Sequence, residues 1–202
     1  MMKEPSTVFT DPPIAQLLFA NPKLAWLWLP LRLWLGWQWW EAGSHKVMDP
    51  KWMETGEAVR GFWTRAVVVP EGGRSPVAYD WYRGFLQFLM EGQHEVWFGK
   101  MVAVGETAIG VALIIDAFTG VAAFFGMFMN WHFIMAGTAS TNAMLMVVAM
   151  LLIMAWKTAG WIGLDRWLLP MVGTPWQRGS LLPVGGDARR TAQPAGGGPA
   201  PG

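Results

Sequence analysis

The stretch WFGKMVAVGETAIGVALIIDAF, residues 97–118, decides how the whole chain is read. A bilayer core about 30 Å thick needs roughly 20 mostly apolar helical residues to cross it, and this stretch supplies them. Lys100 lies near its start and Glu106 deeper in. Downstream, after a very short turn at Thr119–Gly120, residues 120–137 form another apolar run. Residues 142–162 are the most apolar of all and end in Trp156 and Lys157, a pair suited to a bilayer interface. Upstream, residues 24–43 are rich in Leu and Trp and carry Pro30, Arg32 and Gln38. The expected fold is therefore all-α, an integral membrane four-helix bundle with spans at about 24–43, 97–118, 120–137 and 142–162. A cleaved signal peptide is a poor account of the first span, because no small-x-small site follows it and an arginine interrupts it.

Composition agrees. Charged residues make up 14% of the chain, against about 25% in an ordinary soluble domain, so long apolar runs survive uninterrupted. The net charge of +1 offers no basic field to neutralise phosphates, which argues against nucleic acid as a partner. The chain has no cysteine, which excludes disulfides, thiolate-held iron–sulfur clusters and cysteine nucleophiles. Any electrons it handles belong to a partner or to a diffusible carrier.

The connector over residues 44–96 is amphipathic. Trp52, Val59, Phe62, Trp63 and Ala66 follow helical spacing within 50–67, and Tyr82, Phe85, Leu86, Leu89 and Met90 do so within 79–96. Pro70-Glu71-Gly72-Gly73 breaks the pattern as a turn. Two amphipathic helices over one end of the bundle are expected, either as a solvated cap or as a lid over a ligand cavity. Residues 1–23 form an N-terminal segment. Residues 170–202 read as a disordered tail, since half of Pro183–Gly202 is Gly or Pro. Lys157, Arg166, Arg178, Arg189 and Arg190 outnumber Asp165 and Asp187, which places the C-terminus on the cytoplasmic side. An even number of spans brings the N-terminus to the same side and turns the connector outward.

Helical rise puts Arg32 about 12 Å into its span, Glu106 about 13 Å in from the opposite face and Asn130 about 15 Å deep. An unpaired arginine at mid-membrane costs about 3 kcal/mol on insertion scales, so Arg32 and Glu106 are expected to pair. Asn130 or Gln38 would satisfy the remaining hydrogen-bonding groups. Such a site suits a quinone head group or a proton path; a structural ion pair is the plainer reading. His45, His94 and His132 all fall near the outer face. Their spacing offers no metal or haem site, leaving interfacial residues or an outer proton acceptor for quinol oxidation. Gly105, Ala108, Ala112 and Gly126 permit close helix approach. Met144, Met146, Met150 and Met154 sit too deep in the apolar sequence to read as a copper site.

The order of these motifs resembles the DoxX family. Arg32-Leu33-Trp34-Leu35-Gly36 and Gly43-Ser44-His45-Lys46 resemble its Arg-x-x-x-Gly…Gly-x-x-Lys opening, and Gly105-Glu106-Thr107-Ala108-Ile109-Gly110 its Gly-Glu-x-x-x-Gly segment. Met129-Asn130-Trp131-His132-Phe133, Gly137, Asn142 and Gly160-Trp161-Ile162-Gly163-Leu164-Asp165 continue it, so that the likeness covers residues 24–169. The long connector is more similar to the DoxD branch, the small membrane subunit of thiosulfate:quinone oxidoreductase, which works beside a second subunit, DoxA. The resemblance implies a membrane subunit of a redox complex with quinone as diffusible substrate, no covalently bound cofactor, and a DoxA-like or other redox partner. A non-catalytic anchor for a peripheral redox enzyme is the competing expectation. A small-solute transporter fits poorly without broken half-helices or an inverted repeat, unless the chain forms an oligomer.

Overall fold

The computed structural model describes residues 11–73 and 75–173, and among these the secondary structure is entirely helical. A short helix, α1 (Pro13–Ala20), and a 3-10 turn at Pro22–Leu24, capped by the Asn21 side chain, precede the first long helix. That helix, α2, runs from Ala25 to Met48 and carries Pro30 one turn and a half inside it. The second long helix, α6 (Glu95–Ile115), is the one described helix long and apolar enough to cross a membrane.

Buried positions on α6 include Glu95, Gly99, Val102, Glu106, Ile109 and Leu113 in alternating steps of four and three, with Ala103 and Gly110 buried beside them. This is the 3.5-residue repeat of a helix that keeps one seam against a neighbour. The neighbour is α2, which runs antiparallel to it and buries Trp28, Arg32, Leu35, Gly36, Trp39 and Gly43. Glycines set the separation. A Cβ on Gly36 would lie 2.9 Å from the Ile114 side chain, one on Gly43 would collide with the Thr107 backbone, and one on Gly110 would collide with the Trp40 backbone.

Two further helices, α7 (Thr119–Met135) and α8 (Asn142–Met154), pack on each other and on this pair. Trp28, Leu35, Trp39, Leu113, Ala123, Ala149 and Leu152 belong to the common core. The run expected as a single helix over 142–162 is divided. It stops at Ala155, whose carbonyl accepts from both Thr158 and Ala159, and continues as a single-turn helix, α9 (Trp156–Ala159). The chain then turns back so that Asp165 reaches the α6–α7 turn, which a straight helix to residue 162 would prevent.

The connector contains α3 (Pro50–Met53), α4 (Glu57–Val67) and α5 (Asp80–Glu91). Residues 50–67 are thus two helices, separated at Gly56, which adopts a left-handed conformation (φ 70°) and lies against the Glu95 backbone. Residues 79–96 also divide, because α5 ends at Glu91, Gln93 turns the chain with φ 54°, and Glu95 already belongs to α6. Val59, Trp63 and Ala66 of α4 meet Tyr82, Leu86 and Leu89 of α5 in a second core, while Phe85 stays partly exposed. An Arg60–Glu95 ion pair (2.7 Å) fastens α4 to the start of α6. The chain divides into two units, residues 1–166 and 167–202; of the second, residues 167–173 are described, and α10 (Asp165–Met171) ends within them. The disordered tail expected over 170–202 lies, but for residues 170–173, outside the described residues.

The α2–α6 contact makes a direct prediction. Gly43→Ala and Gly110→Ala should each destabilise the protein by about 1–3 kcal/mol, because backbone must move to admit the methyl group. Gly105→Ala, whose Cβ would meet only Met129 at 3.7 Å, should be close to neutral. Chemical unfolding in detergent micelles measures all three.

Candidate functional site

The expected Arg32–Glu106 pair is not formed. Depth arithmetic gave the height of each residue but not the register, and the glycine contacts fix that register. With Gly36 beside Ile114 and Gly43 beside Thr107, the neighbour of residue 32 falls near residue 118 and that of residue 106 near residue 44. Each charge has found another partner, and the two sites are about 15 Å apart along α6.

Arg32 donates to the Ile162 carbonyl (2.8 Å) and pairs with Asp116 (2.5 Å). Asp116 also accepts from the Thr119 hydroxyl. Asp165 caps the start of α7, accepting from the Phe118 and Thr119 N–H groups at 2.5 and 2.7 Å, and its own N–H donates to the Asp116 carbonyl at 2.8 Å. Asp116 ends α6 in a left-handed conformation (φ 63°) that glycine would adopt more easily. Its carboxylate explains why an aspartate is there. Gly160 and Gly163 make room, since a Cβ on the first would lie 2.8 Å from Asp165 and one on the second would collide with Asp116. Arg32, Asp116, Thr119 and Asp165 are all buried, with at most 2% exposure. We read this cluster as a clamp joining α2, the α6–α7 turn and the segment after α9.

The other charge has a different setting. Helix α2 continues past residue 43, where its span was expected to end, and so carries Lys46 one turn beyond Gly43. Because Gly43 lets the backbones touch at Thr107, the Lys46 side chain reaches the Glu106 carboxylate and forms an ion pair with it. Glu106 is 1% exposed, whereas Lys46 remains partly open. The Lys46 ammonium also lies 4.9 Å from the Trp52 ring and 5.9 Å from the Phe133 ring, so α3 and α7 flank it with aromatic faces.

Lys46 and Glu106 form part of the wall of a cavity of about 660 Å³ beneath α3 and α4. Gln38, Trp39, Thr138 and Asn142 also line it, with exposed Lys51, Glu57 and Arg65 at its rim. Asn142 donates to the Thr138 carbonyl (2.8 Å) and keeps its amide oxygen facing no protein donor, and Gln38 has no partner among the described residues. The cavity thus offers an ammonium donor, a carboxylate proton acceptor, two amides and flat aromatic walls. These groups can hold a planar ligand by its oxygens and exchange protons with it.

Of the residues proposed for a single polar site, the structure brings Gln38 and Glu106 to this cavity, while Arg32 belongs to the clamp. Asn130 is fully buried and neither of its amide atoms has a hydrogen-bond partner among the described residues. Lys46 and Asp116 were missed as partners. Both continue the seam repeats already named, and that periodicity was the signal for them. The histidines are dispersed. His45 is exposed at the end of α2, and His94 precedes α6 between the Phe88 and Trp97 rings. His132 meets the Tyr82 hydroxyl, which lies 3.0 Å from both the His132 Nδ1 and its carbonyl oxygen. With one proton to give, the phenol donates to the carbonyl and accepts from Nδ1–H. No group of three His, Asp or Glu residues among those described is arranged to hold a metal.

Two measurements test this geometry. Arg32→Met should cost about 3–5 kcal/mol, and adding Asp116→Asn should recover part of it. Adding Glu106→Gln to Arg32→Met should instead be additive within about 0.5 kcal/mol. Burial pushes the Tyr82 phenol up to about 12. The unfolded chain releases that proton near pH 10, so the fold's gain from a neutral phenol is complete below pH 10 and disappears as pH rises towards 12. Tyr82→Phe should flatten that alkaline loss of stability.

No family model matches the sequence, and neither the curated proteins nor the solved structures give a match to the chain.

Proposed function

We propose that the chain is a DoxX/DoxD-like, multi-pass membrane subunit of a redox complex, and that the Lys46–Glu106 cavity is its quinone head-group site. Four spans would be supplied by α2, α6, α7 and α8 with α9. Their side chains support this reading because they are arranged inside out. Trp26, Trp34 and Trp37 on α2, Val104 and Ile115 on α6, Phe124 and Phe125 on α7, and Met144, Val147 and Met154 on α8 are exposed, while Arg32, Glu106 and Asp116 are buried. Contiguous exposed apolar faces of this kind need lipid or protein to cover them. At 24 and 21 residues, α2 and α6 extend about 36 and 32 Å, enough to cross the hydrocarbon core. Both termini would then face the cytoplasm and α3–α5 the opposite side.

The observation that carries the functional reading is the buried ion pair in the cavity wall. A quinone accepts two electrons and two protons to become a quinol. In this reading thiosulfate or another reduced sulfur compound gives the electrons, directly or through a DoxA-like partner. Lys46 donates a hydrogen bond to one ring oxygen, Glu106 relays protons, and Trp39, Trp52 and Phe133 hold the ring. The anchor reading draws its support from the outer face of α5, where Trp81 and Phe88 are well exposed.

The test uses the purified protein with its co-purifying partners. Lys46→Met and Glu106→Gln should each weaken binding of a quinone analogue about tenfold, the loss of one charged hydrogen bond, and slow thiosulfate-dependent quinone reduction. Arg65→Gln at the rim should change either by no more than about twofold. Unchanged reduction in the Lys46 and Glu106 variants would overturn the site. A partner enzyme released by Trp81→Ala and Phe88→Ala, with quinone irrelevant throughout, would favour the anchor.

A further inference from the structure

We infer that the head-group cavity continues past Phe133 into a second, apolar chamber between α6 and α7, which takes the hydrophobic tail of the same ligand. The substrate class is therefore an amphiphile, with a planar polar head and a long apolar tail, that reaches the site sideways through the bilayer. This rests on the head-group reading of the Lys46–Glu106 cavity.

The second chamber encloses about 540 Å³, within the range of cavities that bind small molecules. Its wall is apolar apart from His132, and Gly105 and Ala108 hollow out the α6 side. Met101, Phe125 and Phe128 line it and are each about half exposed, so it opens on the outward face of the bundle. A neck of about 50 Å³ lies between the two spaces. Trp52, Phe62 and Phe133 are common to the neck and the head-group cavity, while Phe85, Phe98, Val102 and His132 are common to the neck and the apolar chamber. Phe133 lines all three. A polar chamber, an aromatic neck and an apolar chamber with a lateral mouth, in that order, match a ligand of two solubilities. A head group that bound alone would leave the outer two spaces without purpose.

The tail of such a ligand already lies in hydrocarbon, so moving it into the chamber gains little from the hydrophobic effect. What the chamber supplies is alignment, drawing the head inward against Lys46. Filling the chamber should therefore remove the advantage of the tail and leave the head site intact. Gly105→Phe does this, since a Cβ at residue 105 meets only the flexible end of Met129 and the ring beyond it enters the chamber that Gly105 lines. Ala108→Leu fills the same space from the next turn and guards against a defect peculiar to one variant.

Binding is measured in lipid nanodiscs, with concentrations expressed per lipid, for a tail-less benzoquinone analogue and for one carrying two isoprene units. Wild type is expected to hold the tailed analogue about tenfold more tightly. Both chamber variants should abolish that preference while leaving the tail-less analogue within about twofold of wild type. A tail preference that survives both variants, or equal losses for both analogues, would overturn the inference. So would release of co-purifying phospholipid by Gly105→Phe with quinone binding unchanged, since the chamber would then belong to a structural lipid. Failure of the head-group reading has its own signature. Lys46→Met would leave both analogues bound as in wild type, and the channel, having no head site to lead to, would fall with it.

Discussion

Backbone contact between α2 and α6 governs the rest of this molecule. Gly36, Gly43 and Gly110 bring two antiparallel helices to a separation that no side chain could bridge without moving main chain. At that separation there is one workable register, and the register decides which charges meet. It gives Arg32 to Asp116 and Lys46 to Glu106, one pair near each end of the shared seam. The two pairs then diverge in character because of what surrounds them. At the Arg32 end, the turn into α7 and the returning segment at Asp165 close over the ions, and the Ile162 carbonyl accepts from the guanidinium. At the Lys46 end, α3 and α4 stand off and leave a cavity, so the ion pair keeps one side open.

This contrast bears on how buried charge should be read in apolar proteins. A buried ion pair seldom adds stability over a well-packed apolar substitute, so its presence invites a search for another role. For Arg32 that role is architectural, because three separate parts of the chain converge on one guanidinium–carboxylate cluster. For Lys46 and Glu106 no such convergence exists. Their neighbours are aromatic faces and the amides of Gln38 and Asn142 around open space, an arrangement that suits a guest molecule.

Much of the fold could be read from sequence, since apolar runs and helical spacing depend only on local order along the chain. The runs at 97–118 and 120–137 correspond closely to α6 and α7. The buried stripes of α4 and α5 also follow the spacing of Val59, Trp63 and Ala66 and of Tyr82, Leu86 and Leu89. What sequence did not disclose depends on contacts between distant segments. The break at Ala155 serves a contact made by Asp165, and the glycine register selects Lys46 over Arg32 as the partner of Glu106. Depth along a helix is a single coordinate; partnership also requires azimuth and offset. Lys46 and Asp165 both stood inside the resembling motifs, yet a motif states which residues recur and not which of them touch.

The capping of α7 by Asp165 has a consequence for biogenesis. A ribosome delivers α2 ahead of the other long helices, with an arginine whose carbonyl partner at Ile162 lies 130 positions downstream. Until that stretch emerges, the guanidinium lacks one of its contacts and the first N–H groups of α7 lack their acceptor. The early helices must therefore wait for residues 162–165 before the cluster that ties them together is complete. A nascent polypeptide halted before residue 165 would hold every long helix and still be unable to close its own bundle.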